Sequence, residues 1–118
     1  MPAFAITSRM RAKQGQEDAF AVLLVEYEKA CAHHAGLLYH SIQRNVNDAR
    51  EFIFYELYDS EEHLRLHRAA PENRAWAPVR DAHIEERHVD TWQLMNLEGP
   101  AAQLWKSSVC AEKETASS

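Results

Sequence analysis

The apolar positions of this chain change period several times, and each change marks a new element. Residues 3 to 11 alternate, with Phe4, Ile6, Ser8 and Met10 on one face and Ala5, Thr7, Arg9 and Arg11 on the other. A period of two predicts a strand. Lys13-Gln14-Gly15 reads as a turn, because glycine adopts backbone conformations that cost other residues energy. Glu17 and Asp18 then mark a helix start, as negative charges near its positive end. From Gln16 to about His34, the residues Phe20, Leu23, Leu24, Tyr27, Cys31 and His34 recur every three or four positions. They form one stripe of an amphipathic helix, with Glu26, Glu28 and Lys29 in water. Gly36 is placed to end that helix in a left-handed conformation.

A second strand is expected from Leu37 to about Arg44, and a third from Glu51 to Tyr58. Between them Asn45-Val46-Asn47-Asp48 has turn chemistry, so the two strands form a hairpin. Both faces of the third strand are apolar: Phe52, Phe54 and Tyr58 on one, Ile53, Tyr55 and Leu57 on the other. A sheet covered on one side only has no need of that. Asp59 or Ser60 caps the next helix, with Glu62 where a capping partner of Asp59 would sit. Pro71 interrupts its register and suits a fresh first turn, after which Trp76, Val79 and His83 share one side. Residues 88 to 97 alternate again as a fourth strand. Beyond Glu98-Gly99-Pro100 comes a tail carrying Leu104 and Trp105 and a Ser/Glu/Lys-rich end, expected to be largely disordered.

This order (strand, helix, strand, strand, helix, strand) predicts an α+β, ferredoxin-like βαββαβ domain over residues 3–97 with an antiparallel sheet, followed by a C-terminal extension over 98–118. Both helices on one face leave the other face bare. Burying a few hundred Å² of apolar surface contributes several kcal/mol, at roughly 25 cal/mol per Å². A homodimer packed through its sheet faces supplies that burial symmetrically.

Composition narrows the functional classes. The 118 residues carry a net charge of -5 and show no basic stripe interleaved with aromatics, so nucleic acid is not an expected partner. No apolar run approaches the roughly 18 residues of a membrane span, and the N-terminus lacks a signal pattern. Cys31 in a helix and Cys110 in the tail suggest reduced thiols, and hence a cytoplasmic protein.

Three stretches, in order and at matching spacings, resemble the antibiotic biosynthesis monooxygenase family over about residues 3 to 97. They are RAKQGQEDAF, HAGLLYHSIQRN and FIFYELYDSEEHLRLHRAAP. In the last, Tyr55, Glu56, Asp59, His67 and Pro71 fall on the family pattern, and Trp76 fits an aromatic often found further along. Tyr58 stands where many members have Trp, while Glu72 and Asn73 replace a His and an aromatic of quinol-oxidising members. The resemblance implies a dimeric α/β barrel and, as activity, oxidation of a small aromatic or quinol-type substrate by O2 without a cofactor. It equally admits an isomerase or decarboxylase in the same pocket. A non-catalytic, stress-related dimer that binds a small ligand is a third reading. The haem-degrading branch needs an Asn in the first strand, and none precedes Asn45.

Cofactor-free oxidation needs a base near neutral pH, donors for the resulting anion and apolar walls. His67 is the first candidate for the base, or else a helix histidine that buttresses Asp59 and the turn. Tyr55 and Trp76 are candidates for an aromatic wall, with the Tyr hydroxyl as a donor, or for ordinary core. Tyr58 shares the face of Phe54, and both are candidates to contact substrate. Glu56 lies among aromatics, where a carboxylate needs a partner. It is either a catalytic acid or the structural partner of Arg44 or Arg9. His63 stands four residues before His67, on the same helical face, and is assigned to substrate contact. With Glu56 the two histidines could seat a metal. No HExxH pattern or Cys/His cluster supports one, so no metal is expected.

Overall fold

The computed structural model describes residues 3–100 and 102–103. Leu104, Trp105, Cys110 and the Ser/Glu/Lys-rich end lie outside the described residues. The elements follow the expected order: β1 (Phe4–Ala12), α1 (Glu17–Cys31), β2 (Leu37–Arg44), β3 (Glu51–Tyr58), α2 (Glu61–Ala69), α3 (Pro71–His83) and β4 (Ile84–Gln93). All pairings are antiparallel in a single sheet of order β2-β3-β1-β4, so the chain is α+β and ferredoxin-like.

Register fixes which side chains meet. Ile6 pairs with Glu56, Ser8 with Phe54 and Met10 with Phe52, which puts the even-numbered residues of β1 and β3 beneath the helices. There the core is built on Phe20, Leu24, Tyr27, Phe52, Phe54 and Trp76, all buried. The Trp76 ring stacks on Tyr27 at 4.7 Å and on Phe20 at 6.1 Å.

Two boundaries, the end of α1 and the limits of β4, differ from the sequence reading, and the α2 cap is decided between its two candidates. Helix α1 stops at Cys31, because Ala32 bonds back to Lys29 and His34 to Cys31, leaving His34 beyond the helix. Helix α2 is capped by Ser60, whose hydroxyl accepts from the His63 backbone N–H at 3.2 Å. Asp59 instead takes the His63 imidazole at 2.6 Å. Strand β4 starts at Ile84, four residues early, and ends at Gln93. Its Glu85 and Glu86 are tolerated because this is an edge strand open to water, and Glu85 meets Arg11 and Arg50 there.

The face away from the helices is not uniformly apolar. One end carries charge, with Arg9 on Glu51 at 3.2 Å and His88 and Asp90 close by. The other end holds Tyr39, Tyr55 and Trp92, the first and last being 44% and 54% exposed. Leu94 and Leu97, just past β4, pack there over Ala3, Ala5 and Leu57. The chain thus covers part of this face itself.

Candidate functional site

Alternation along β3 aims Glu56 at the helices, and Leu64 and His67, three apart on α2, are the buried residues of that helix. The two directions converge. His67 Nε2 lies 2.9 Å from Glu56 Oε2, with His67 4% and Glu56 7% exposed. The Tyr58 hydroxyl donates to the same oxygen at 3.3 Å, and burial followed by the neighbouring carboxylate holds that phenol well above its ordinary range. Glu56 therefore has the partners a buried carboxylate requires. They are not the expected arginines: Arg9 pairs with Glu51 and Arg44 with Asp18.

From His67 the contacts run outward. Its Nδ1 lies 2.9 Å from His34 Nδ1, and His34 Nε2 lies 3.3 Å from Glu72 Oε2. The other Glu72 oxygen meets the exposed His33 at 3.3 Å. The Glu72 carboxyl is held below its ordinary range, first by its own backbone N–H and then by His34. A continuous string of ionisable groups thus leads from Glu56 to the surface.

Inward, Glu56 and His67 border a cavity of about 80 Å³ between the sheet, α2 and α3. Tyr27, Phe54 and Trp76 wall it, and Arg80 and Arg87 face it from α3 and β4. Burial, and then repulsion from Arg80, lower the proton affinity of Arg87, while Arg80 donates its Nε–H to Asp81 at 2.9 Å. The Ser8 hydroxyl on β1 is buried there without a hydrogen-bond partner among the described residues. Arg68 borders the cavity and reaches across from α2 to Thr91 of β4 at 3.0 Å. The arrangement can take up a proton at Glu56–His67 and hold a negative group near the arginines.

Of the residues proposed from sequence, His67, Glu56, Trp76 and Phe54 share the cavity, and Tyr58 adjoins it through Glu56. Two do not. Tyr55 points to the opposite face of the sheet, where its ring meets Tyr39 at 5.7 Å. The period of two that aims Glu56 inward turns Tyr55 outward. His63 is held by Asp59 beside Gly36 and does not border the cavity. Tyr27, His34, Arg80, Arg87, Ser8 and Asn73 were not singled out. Their signals were present for Tyr27 and His34, both on the apolar stripe that runs along α1 and past its end, and for Arg80, one turn after Trp76. Among the described residues, two clusters of side chains able to ligate a metal form at this end of the string. Cys31, His34 and His67 bring their ligand atoms within 4.8 Å of one another, as do His33, His34 and Glu72.

Comparison with known proteins places this geometry. The model of the family described as antibiotic biosynthesis monooxygenase matches residues 3–79. No curated protein matches the chain. Among solved structures, a protein of Chloroflexus aurantiacus provisionally named an antibiotic biosynthesis monooxygenase superposes with a TM-score of 0.70 at 20% identity, covering 82% of this chain and 97% of that one. A protein of Nitrosomonas europaea with the same provisional name gives 0.75 at 15% identity, covering 82% and 94%. One from Deinococcus radiodurans gives 0.73 at 15% identity, covering 81% and 99%. At these identities the likeness establishes the fold.

Proposed function

Because the chain belongs to the antibiotic biosynthesis monooxygenase family, we propose that it oxidises a small phenolic or quinol-type aromatic with O2, using no metal or flavin in the oxidation itself. The observation that carries this reading is the buried Glu56–His67 pair, 2.9 Å apart, opening on a cavity walled by Tyr27, Phe54 and Trp76. Glu56–His67 accepts the substrate's proton, and His34 and Glu72 lead that proton toward solvent. Arg80, Arg87 and Ser8 hold the anion. A water-poor wall of aromatics raises the worth of those charges, since fixed dipoles replace bulk solvent. The anion gives one electron to O2, and the radical and superoxide join as a peroxide at a ring carbon that carries one hydrogen. The peroxide takes back one proton, and loss of water with the carbon's hydrogen leaves a carbonyl, so one oxygen atom enters the product and the other leaves as water.

Size limits the substrate. A cavity of about 80 Å³ is smaller than the roughly 150 Å³ that encloses a benzene ring. In this reading the ring enters when Arg68 swings off Thr91 and widens the mouth. The unit is a homodimer, joined where Tyr39, Tyr55 and Trp92 leave apolar surface exposed; the exposure of Trp92, 54% for so large a side chain, supports this. The test is oxygen uptake by metal-stripped, flavin-free protein over a panel of hydroquinones and anthrones. Uptake with one ring class, lost in His67→Ala, is expected. Turnover without oxygen, or tight binding without turnover, overturns the proposal.

A further inference from the structure

Both histidines of the outward string are held the same way. His67 turns Nε2 to the carboxylate of Glu56, and His34 turns Nε2 to that of Glu72. In the tautomer that keeps each hydrogen on the nitrogen beside its carboxylate, each ring presents an Nδ1 lone pair on its other side. Those two Nδ1 atoms face each other at 2.9 Å. Two lone pairs at that distance repel unless a cation, either a proton or a metal ion, lies between them.

A third donor completes the setting. The Cys31 thiol, buried at the end of α1, lies with a ring nitrogen of each histidine inside 4.8 Å. We propose that Cys31 Sγ, His34 Nδ1 and His67 Nδ1 form a binding site for a borderline-soft divalent ion of the zinc class. The donor set is one thiolate and two imidazoles, which zinc accepts with a water in the fourth place. Glu56 and Glu72 are the outer carboxylates that orient metal-bound histidines and raise their basicity. Charge agrees as well: a dication with one thiolate keeps a single positive charge, set between two carboxylates.

The geometry needs little adjustment. A tetrahedral ion with bonds of about 2.0–2.1 Å holds two nitrogens about 3.3 Å apart, so the rings must part by a few tenths of an ångström. His34 lies beyond the last turn of α1, in a turn where its N–H bonds the Cys31 carbonyl and its carbonyl accepts from Leu37, so the shift falls to the side chains. The ion would occupy the side of His67 away from the cavity, leaving Nε2 on Glu56. Should the oxidation reading hold, a filled site would also close the proton's way to Glu72; the binding itself does not depend on that reading.

The experiment titrates the tag-free full chain, carrying Cys110→Ser, with cobalt(II) as a spectroscopic stand-in for zinc. One equivalent per chain is expected, with the visible bands of a tetrahedral ion and a thiolate-to-cobalt charge-transfer band. Zinc should displace it. Cys31→Ser should remove the charge-transfer band, and Glu72→Gln should weaken binding about 10- to 100-fold, as loss of an outer carboxylate does. His33→Gln, which alters only the exposed histidine outside the triangle, should change affinity less than about 2-fold, against those 10- to 100-fold losses. Weak octahedral bands, no stoichiometric uptake, or binding indifferent to Cys31→Ser would each overturn the site. Circular dichroism of Cys31→Ser and His34→Gln keeps a folding failure distinct from a lost ligand.

Discussion

Glu56 and His67 make a test of whether the buried pair acts as one unit. Both are nearly fully buried, with Nε2 and Oε2 2.9 Å apart. With both ionised, their attraction at an effective dielectric of 20 is about 6 kcal/mol. Removing two charges from water costs several kcal/mol each, so the intact pair adds little net stability. Taking away one partner is different. His67→Met leaves a carboxylate buried beside a thioether, at a cost of about 3–5 kcal/mol. Glu56→Leu leaves an imidazole N–H without its acceptor, at about 1–3 kcal/mol. Working in a Tyr58→Phe background avoids stranding the hydroxyl that shares Glu56 Oε2. The double variant Glu56→Leu/His67→Met replaces the pair with apolar groups of similar volume. It should lie within about 2 kcal/mol of its background, although the single costs sum to about 4–8. Urea unfolding of the four proteins gives the coupling directly. Oxygen uptake should fall about 10²- to 10⁴-fold in all three variants, the range for loss of a proton acceptor. Additive stability losses, or uptake surviving in Glu56→Leu, would refute the idea that the two groups share one proton and one role.

Three further outcomes follow from the fold. Gly36 has φ +76, and an added methyl would run into His63 and Asp59; Gly36→Ala should destabilise by more than about 1 kcal/mol from backbone strain alone, read as a lowered urea midpoint. The backbone N–H of Arg50 and then the Arg11 guanidinium hold the Asp48 carboxyl below its ordinary value. Its contribution is therefore present above about pH 4 and lost as pH falls through the lowered value; Asp48→Asn should flatten the midpoint-versus-pH curve only in that acid window. Trp92→Glu, placed on the exposed end of the sheet, should shift the chain to monomer in sedimentation velocity without changing its circular dichroism, and an unchanged sedimentation coefficient would remove the sheet face as the contact.

How much of this was legible depends on what kind of constraint placed each residue. Alternation in β1 and β3 predicted the faces correctly residue by residue, because a strand's period leaves no freedom once one face is buried. The limits of β4 were misplaced since an edge strand takes charge on either face, so Glu85 and Glu86 do not read as strand. The helix-facing half of the site was visible as individual residues: Glu56 beside Phe54, His67 three after Leu64. Their pairing was not, because it depends on where α2 crosses β3, and no local pattern encodes a crossing. Arg9 and Arg44 looked like equally good partners for Glu56 on charge alone. The register decides otherwise, since Arg9 pairs with Ile53 across β1 and β3 and so belongs to the far face.

Strand β3 shows why one stretch dominates this sequence and why its residues had to be divided. Read as composition, FIFYELY is a single aromatic run. Folded, it is two surfaces back to back. Phe52, Phe54, Glu56 and Tyr58 turn under the helices to core and cavity, while Ile53, Tyr55 and Leu57 turn to the open face. A substitution at Glu56 should therefore change the chemistry of the cavity and spare assembly, and one at Tyr55 should do the reverse. Tyr55 and Trp76 are alike as aromatics, but the strand's period alone separates them. Identity of residue type suggests what a side chain can do, whereas parity along the strand decides which of the two surfaces it does it on.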